Sequence, residues 1–424
     1  MKNIIISEFG VIKKVGDYES PVDSFSEVFV SDNIFARIKD FVFTHTNDLL
    51  FTYAVQRAKE QVKVKNYVGL LQISDNLQIE ILPKSTAGSA KEARQMLLKM
   101  LQTFSTYQSL TKAHLAISKL PLLEVYVTVF LDELEKLLNL GLGRNYEPRE
   151  SNEQYIKGKI LIAENIHQNL LNQQAIFVAY DDFIYDIPQN RILKTCLAKL
   201  KTFVFSNATR QRIWQYLSVL EEIPLSDNLQ QDFTKSQVVS PHSERYKHIL
   251  QWAWVFLSEH SFLPFSGNSF QMSLLFPMEI LFENYVGQLF RKYLPDNYEV
   301  KLQDRRKHLV VSHKAQARFR LIPDIVIEKQ QNENKEVLIF DTKWKLIDAS
   351  KPKQNYGIEQ QDLYQLYAYG KKYNARHLFL IYPANENFTQ PLEVFDYEED
   401  MVLHVLPFNL LNEGSVEVRK IMLS

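Results

Sequence analysis

Short runs of β-branched and apolar residues fill the first 90 positions, in IIISEFGVIKKV, SEVFVS and YVGLLQISDNLQIEILPKS. Gly, Asp-Asn and Pro break these runs, so they read as strands and the stretch as β-rich. From about 91 to 140 the spacing changes. EARQMLLKMLQTF and LEVYVTVFLDELEKLLNLGL carry apolar residues three and four apart, the period of an amphipathic helix. Gly141 and Gly143 punctuate the second helix. A polar link, RNYEPRESNEQ, follows, then a strand expected around YIKGKILIAENI, then the run AIFVAYDDF. Between 188 and 260 helical spacing returns in QNRILKTCLAKLKTFVF, ATRQRIWQYLSVLEEI and SERYKHILQWAWVFLSE.

From about 270 the pattern is mixed. PMEILFENYVGQLFRKYL reads as a helix with Pro277 in its first turn, where a missing N–H does no harm. YEVKLQ, HLVVSH, RFRLIPDIVIE and EVLIFDTKWK read as strands, EQQDLYQLYAYGKKY as a helix, and HLFLIYP and MVLHVLP as closing strands. The expectation is a multidomain α/β protein. A β-rich then helical region spans 1–143, a mostly helical region 144–265, and a compact α/β domain 266–424.

Composition agrees with a chain of two or three domains: 424 residues, 46% apolar and 12% aromatic, with 12 glycines and 15 prolines. That excludes a disordered chain. Charge is balanced at 49 basic against 50 acidic residues, so any surface for a polyanion must be local. Cys196, the one cysteine, excludes an internal disulfide framework and reads as a buried helical packing residue. The opening MKNIIISEFG is too short a run for a secretory signal. No apolar stretch approaches the roughly 20 residues of a membrane span. A cytoplasmic, non-membrane protein is expected.

Chemistry concentrates in two segments, IPDIVIE and VLIFDTKWK. Asp324 follows Pro323 and opens one apolar alternation, and Asp341 ends another. Lys343, two residues on, shares the face of Asp341 on a strand. The polar stretch QQNENKE between the runs suits a hairpin loop, which would set the two acids side by side at one end of a sheet. Close carboxylates repel unless a cation lies between them, and hard oxygen ligands of this kind suit Mg²⁺. A neighbouring lysine stabilises charge developing on phosphorus. An Asp at a strand end commonly just starts a turn, and a Lys there is commonly solvated. Here both acids abut strongly apolar strands, where an unpaired carboxylate is costly. Gln365 and Tyr369, four apart, share one face of the following helix.

Pro323–Asp324, then Asp341-Thr342-Lys343, then Gln365 and Tyr369 resemble the PD-(D/E)xK nuclease pattern with the Q-xxx-Y helix of its RecB-like branch. LQIEILPKS, YIKGKI, the QNRILK helix and PMEILFENYV extend the resemblance over most of the chain, to McrC, the nuclease subunit family of McrBC-type modification-dependent restriction systems. The resemblance implies a restriction-endonuclease-like C-terminal domain and an Mg²⁺-dependent endodeoxyribonuclease active with its partner. It implies Asp324 and Asp341 as metal ligands, Lys343 as the catalytic lysine, and Gln365 and Tyr369 as supporting or DNA-facing residues. The additional helix acid of such sites is Glu283, with Glu279 one turn away as the alternative. The implied partners are a McrB-type AAA+ GTPase hexamer, contacted through the N-terminal β-rich region, and double-stranded DNA carrying modified bases. Two alternatives stay open: a bridging, non-cutting activator of that GTPase, and a stand-alone RecB-like nuclease.

Residues 301–320 hold seven Lys or Arg against one Asp, immediately before the first acid. Arg305, Arg306, Lys307, Lys314, Arg318 and Arg320 are candidates for phosphate contacts, against the alternative of a solvated strand face. His308 and His313 are too few and isolated for a zinc site and read as partly exposed structural residues. Lys157 and Lys159 read as part of an ordinary strand and turn, with a partner-facing role as the alternative. G-x-x-x-x-G-K-[ST] is absent, so this chain is not expected to bind nucleotide through a P-loop.

Overall fold

The computed structural model describes residues 2–45, 50–74, 77–84, 89–104, 120–170, 174–236, 243–257, 273–331, 334–398 and 400–423. The chain divides into two compact units, Met1–Leu122 with Glu259–Ser424, and Leu123–Ser258. The sequence reading divides it in three. It differs because the segment opening the C-terminal part adds a strand to an N-terminal sheet, which joins the chain's two ends in one unit. The expected break at 265 lies outside the described residues.

The first unit opens with β1 (Lys2–Ser7), β2 (Val11–Lys14), β3 (Glu27–Val30), α1 (Asp32–His45), β4 (Phe51–Gln56), β5 (Lys59–Val64), β6 (Tyr67–Ser74), β7 (Leu77–Leu82) and α2 (Ala90–Leu101). One sheet has the order β3-β2-β5-β4. Helix α1 is an addition to the β-rich reading. Its buried Phe35, Ile38, Phe41 and Val42 recur at helical spacing. Helix α2 is capped by Ser89, whose side chain accepts from the Glu92 N–H. Arg94 of α2 is buried against Glu80 of β7.

The second unit holds α3 (Leu122–Leu140), β8 (Asn145–Glu153), β9 (Lys159–Ile160), α4 (Ile162–Asn169), β10 (Ile176–Ile184), α5 (Pro188–Leu200), α6 (Asn207–Val219), α7 (Leu229–Ser236) and α8 (Ser243–Leu257). Two expectations are corrected here. The polar link is strand β8, paired along its whole length with β10. Cross-strand contacts sustain it rather than burial: Tyr146 stacks on Phe183 and Arg149 pairs with Asp182. The strand expected around YIKGKILIAENI is only the two residues of β9, after which the chain turns into α4. Gly158, at φ +75°, makes the break where a Cβ would meet the Ala179 carbonyl. Cys196 of α5 is buried, and burial pushes its thiol pKa up, as befits a packing residue.

The first unit resumes with β11 (Ser273–Pro277), α9 (Met278–Tyr293), β12 (Tyr298–Leu302), β13 (His308–His313), β14 (Gln316–Arg320), β15 (Ile325–Gln331) and β16 (Asn334–Thr342). It ends with α10 (Gln360–Tyr373), β17 (His377–Pro383), β18 (Phe395–Glu398), β19 (Met401–Phe408) and α11 (Gly414–Leu423). Strand β11 runs against β6 in the sheet β1-β7-β6-β11. Gly69 permits that approach, since a Cβ there would lie 1.9 Å from the Leu274 carbonyl oxygen. Pro277 is the N-cap of α9 and the last residue of β11.

A six-stranded sheet has the order β12-β15-β16-β17-β19-β18. β15 and β16 pair antiparallel as far as Gln331 and Asn334, and residues 332 and 333 lie outside the described residues. β16, β17 and β19 run parallel, α10 crossing between the first two. Val326, Ile339, Leu378, Leu380 and Val405 form a core with Leu366 and Tyr369 of α10. Phe340, stacked on Phe379, packs against Phe290 of α9. Helices therefore cover the hairpin on both sides, which is why its strands read as near-continuous apolar runs. The expected single strand RFRLIPDIVIE is two strands. β14 belongs with β13 to a separate two-stranded ribbon, and the chain re-enters the sheet only after Pro323.

Candidate active site

The β15–β16 ladder runs to the pair Ile325–Phe340, so its next step sets Asp324 beside Asp341 at one end of the sheet. Asp324 is held there: its Oδ2 accepts from the Thr342 N–H at 2.7 Å and from the Thr342 hydroxyl at 2.8 Å. Lys343 continues the parallel side, its N–H donating to the Ile381 carbonyl at 2.9 Å. Its Nζ lies 2.7 Å from Asp341 Oδ2. Asp341 is buried, and its Oδ1 has no hydrogen-bond partner among the described residues.

Helix α10 supplies the next layer. Lys343 Nζ donates to Gln365 Oε1 at 3.4 Å, Gln365 Nε2 donates to the Tyr369 hydroxyl at 2.6 Å, and that hydroxyl donates to the Ile322 carbonyl at 3.0 Å. One chain of bonds thus runs from the lysine to the segment leading into Asp324. Helix α9 supplies Glu283, whose Oε1 accepts from Gln303 Nε2 at 2.9 Å. Gln303 sits at φ +47°, and its N–H donates to the Asp324 carbonyl at 2.8 Å. Glu283 and Asp324 share a cleft of about 390 Å³ with Asn284, Arg291 and Gln303. Glu279 faces elsewhere, its two carboxylate oxygens accepting from Asn66 Nδ2 at 2.6 and 2.7 Å.

The electrostatics are those of crowded acids. Burial, with Asp324 beside it, pushes Asp341 from 3.8 up to about 7. Burial and Glu283 push Asp324 up to about 6, against the lowering effect of the Thr342 bonds. Burial also raises Glu283. Burial alone would lower Lys343, but Asp341, Asp362 and Asp324 outweigh it, and its pKa is raised. Repulsion among buried carboxylates, with Asp341 Oδ1 unpartnered, is the situation a divalent cation relieves. Among the described residues no three Asp, Glu, His or Cys side chains stand close enough together to form a ready-made cage. Two carboxylates completed by waters and a phosphate is a normal arrangement for Mg²⁺, so the donor set fits that ion.

Three contributors escaped the sequence reading. Asp362, buried on α10, lies 3.7 Å from Lys343 Nζ and 3.5 Å from Lys345 Nζ. It stands three residues before Gln365, a helical spacing that carried a signal. Gln303 carried none. Glu8, in the turn after β1, is fully buried and accepts from the Trp344 indole N–H at 2.6 Å and the Lys84 N–H at 2.9 Å. Burial pushes it up to about 8. Trp344, directly after the lysine, also packs against Phe282 of α9. A partnership across 336 positions has no local signature.

The basic candidates divide. Arg306 is engaged by Asp304 and Glu328, and Lys301 by Glu328. Arg305, Lys307, Lys314, Arg318 and Arg320 are exposed on or beside the β13–β14 ribbon, together with His313, while His308 is half-buried. Lys157 lies over the Tyr180 ring at 3.8 Å, and Lys159 is exposed in β9.

Fold and site define a mixed α/β protein with a carboxylate–lysine centre at the end of a helix-covered hairpin. The chain belongs to the family described as McrBC 5-methylcytosine restriction system component, whose model matches residues 62–383. Its fold is similar to a chain of the refined half-complex from a tetradecameric assembly of Thermococcus gammatolerans McrB AAA+ hexamers with bound McrC. The TM-score is 0.73 at 16% identity over 99% of both chains. A second similarity is to a chain of the cryo-EM structure of the Thermococcus gammatolerans McrBC complex, at TM-score 0.50 and 18% identity, over 70% of this chain and 89% of that one. No curated protein matches the chain. Among the described residues no helix is long and apolar enough to cross a membrane.

Proposed function

We propose that this chain is the McrC-type DNA endonuclease subunit of a McrBC-like restriction system, with a PD-(D/E)xK active site in the 266–424 region. The observation that carries the reading is the grouping of Asp324, Asp341 and Lys343, with Asp341 Oδ1 buried and unpartnered among the described residues. Membership of the restriction family supports it.

Asp324 and Asp341 would hold a divalent metal, Mg²⁺, with Glu283 of the neighbouring helix as the additional acid. Bound there, the ion supplies Lewis acidity toward a phosphate oxygen and a water of lowered pKa. Asp324 is oriented for this by Thr342, which occupies one carboxylate oxygen and leaves the other free to bind. Lys343, kept cationic by its acidic neighbours, stabilises charge as it develops on the phosphoryl oxygens. Gln365 and Tyr369 fix the direction of the lysine. Arg305, Lys307, Lys314, Arg318 and Arg320 contact backbone phosphates of the duplex.

Residues 266–424 carry the cutting site, and the N-terminal region 1–143 contacts a McrB-type AAA+ GTPase. The Thermococcus assembly, named as McrB hexamers with bound McrC, supports that partner. The test is reconstitution with the cognate AAA+ protein, GTP, Mg²⁺ and a duplex carrying modified cytosines, following both cutting and GTP hydrolysis. Cutting that needs all components, with GTP hydrolysis raised by this chain, is the expected result. Stimulated hydrolysis without metal-dependent cutting would assign a bridging role. Robust cutting by the isolated chain would assign a stand-alone nuclease.

A further inference from the structure

The β13–β14 ribbon stands apart from the six-stranded sheet as its own two-stranded element. Its register pairs His308 with Arg320 and Val310 with Arg318. That puts these four on one face and leaves Leu309 and Phe319 on the other, with Val311 beside them where the register shifts before His313. The second face is apolar and solvent-exposed: Val311 is 77% exposed, Phe319 73% and Leu309 45%. Phe319 also sits at φ +56°, a conformation bulky residues avoid. The fold thus accepts backbone strain and an exposed aromatic ring at one position and recovers no burial there. The surroundings are cationic. Arg305, Lys307, Lys314, Arg318 and Arg320 form no ion pair among the described residues.

The root of this ribbon is tied to the candidate site. The Leu321 N–H closes it against the Lys307 carbonyl at 2.9 Å, and Arg306 locks it to Asp304 and Glu328. Two residues before Asp324, the Ile322 carbonyl receives the Tyr369 hydroxyl, the end of the bond chain from Lys343. A ribbon with exposed apolar residues on one face, and on or beside it cations that form no ion pair among the described residues, matches duplex DNA, which supplies phosphates along its backbone and flat apolar base faces where a step unstacks. A two-stranded ribbon has the width to enter a groove.

We propose that the β13–β14 ribbon is a duplex-engaging arm. Its cations hold phosphates beside the scissile bond, and Phe319, backed by Leu309 and Val311, packs against a base and loosens its stacking. The proposal rests on the nuclease reading for the location of the cut, and reaches beyond phosphate contact to base contact by an apolar residue.

The test uses the full chain in EDTA, so that no cutting intervenes, with a duplex carrying 2-aminopurine. Affinity and fluorescence are measured over a salt series. Phe319→Ala should weaken binding roughly tenfold and remove the fluorescence rise, while the slope of log affinity against log salt stays as in the wild type. Phe319→Trp should restore both. Arg318→Gln with Arg320→Gln should lower that slope by about two, one per phosphate contact. Three results would overturn the proposal: no duplex binding by the wild type, no change in Phe319→Ala, or Phe319→Ala impairing capture of the AAA+ partner or of phosphatidylserine vesicles instead of DNA. Failure of the nuclease reading shows separately, as cutting that survives Asp341→Ala while binding in EDTA still depends on Phe319.

Discussion

At the scale of single residues, the site is a balance of buried charge. Asp341 and Asp324 bind protons more tightly folded than unfolded, at about 7 and about 6 against an ordinary 3.8. Their contribution to stability is therefore fully present below about pH 4 and is lost as pH rises through 6 and 7. Metal-free protein should melt at progressively lower temperature from about pH 5 to pH 8, and Asp341→Asn should flatten part of that slope. Millimolar Mg²⁺ should raise the melting temperature more at pH 8 than at pH 5, because deprotonated ligands bind it. Melting curves with EDTA and with Mg²⁺ check this, and an Mg²⁺ effect independent of pH would contradict it. Gln365→Leu leaves Lys343 without its amide partner, so cleavage should fall roughly tenfold with little change in melting. Asp324, Asp341 and Lys343 stood out in the sequence because they open, end or follow an apolar run, where a charge needs a reason. Glu8 did not, since its partner Trp344 stands 336 positions away, just past the end of β16.

At the scale of elements, what positions the site is close packing around β15 and β16. Gly370 lets α10 lie on the sheet: a Cβ there would come within 2.5 Å of Met401 Sδ and 3.1 Å of Leu378. Gly370→Leu should lower unfolding free energy by about 1–3 kcal/mol in denaturant titrations and reduce cleavage by displacing Gln365. On the opposite side, Glu8 anchors Trp344, the residue after Lys343. Its raised pKa of about 8 means stability present below about pH 4.5 and lost as pH rises through 8. Glu8→Gln keeps an acceptor for Trp344 and Lys84 but cannot ionise. The variant should therefore lose this group's share of the wild-type decline in melting temperature between about pH 5 and 8 and leave the share of the two aspartates. Periodicity read the central elements well, because helices and buried strands there carry strong apolar patterns. It missed β8, whose outward residues are polar and which exists through pairing with β10. It also fused β14 with β15, since exposed and buried strand residues look alike along RFRLIPDIVIE.

At the scale of the whole molecule, the near-neutral chain places five cations that form no ion pair among the described residues on or beside one ribbon near the site. Duplex affinity should consequently fall steeply between low and physiological salt, while melting temperature barely responds. Filter binding and melting curves over the same salt series separate the two. Pairing of β11 with β6 was beyond the reach of sequence reasoning, because a strand's partner depends on non-local contacts. Family membership and the fold agree on a restriction-system component, and the remaining claim is that this chain does the cutting. The decisive measurement is single-turnover cleavage of a modified-cytosine duplex by the reconstituted complex, comparing wild type with Asp341→Ala in Mg²⁺ and GTP. Loss of cleavage by at least ~100-fold, with GTP hydrolysis retained, is the predicted result. Cleavage at the wild-type rate by Asp341→Ala would contradict the account.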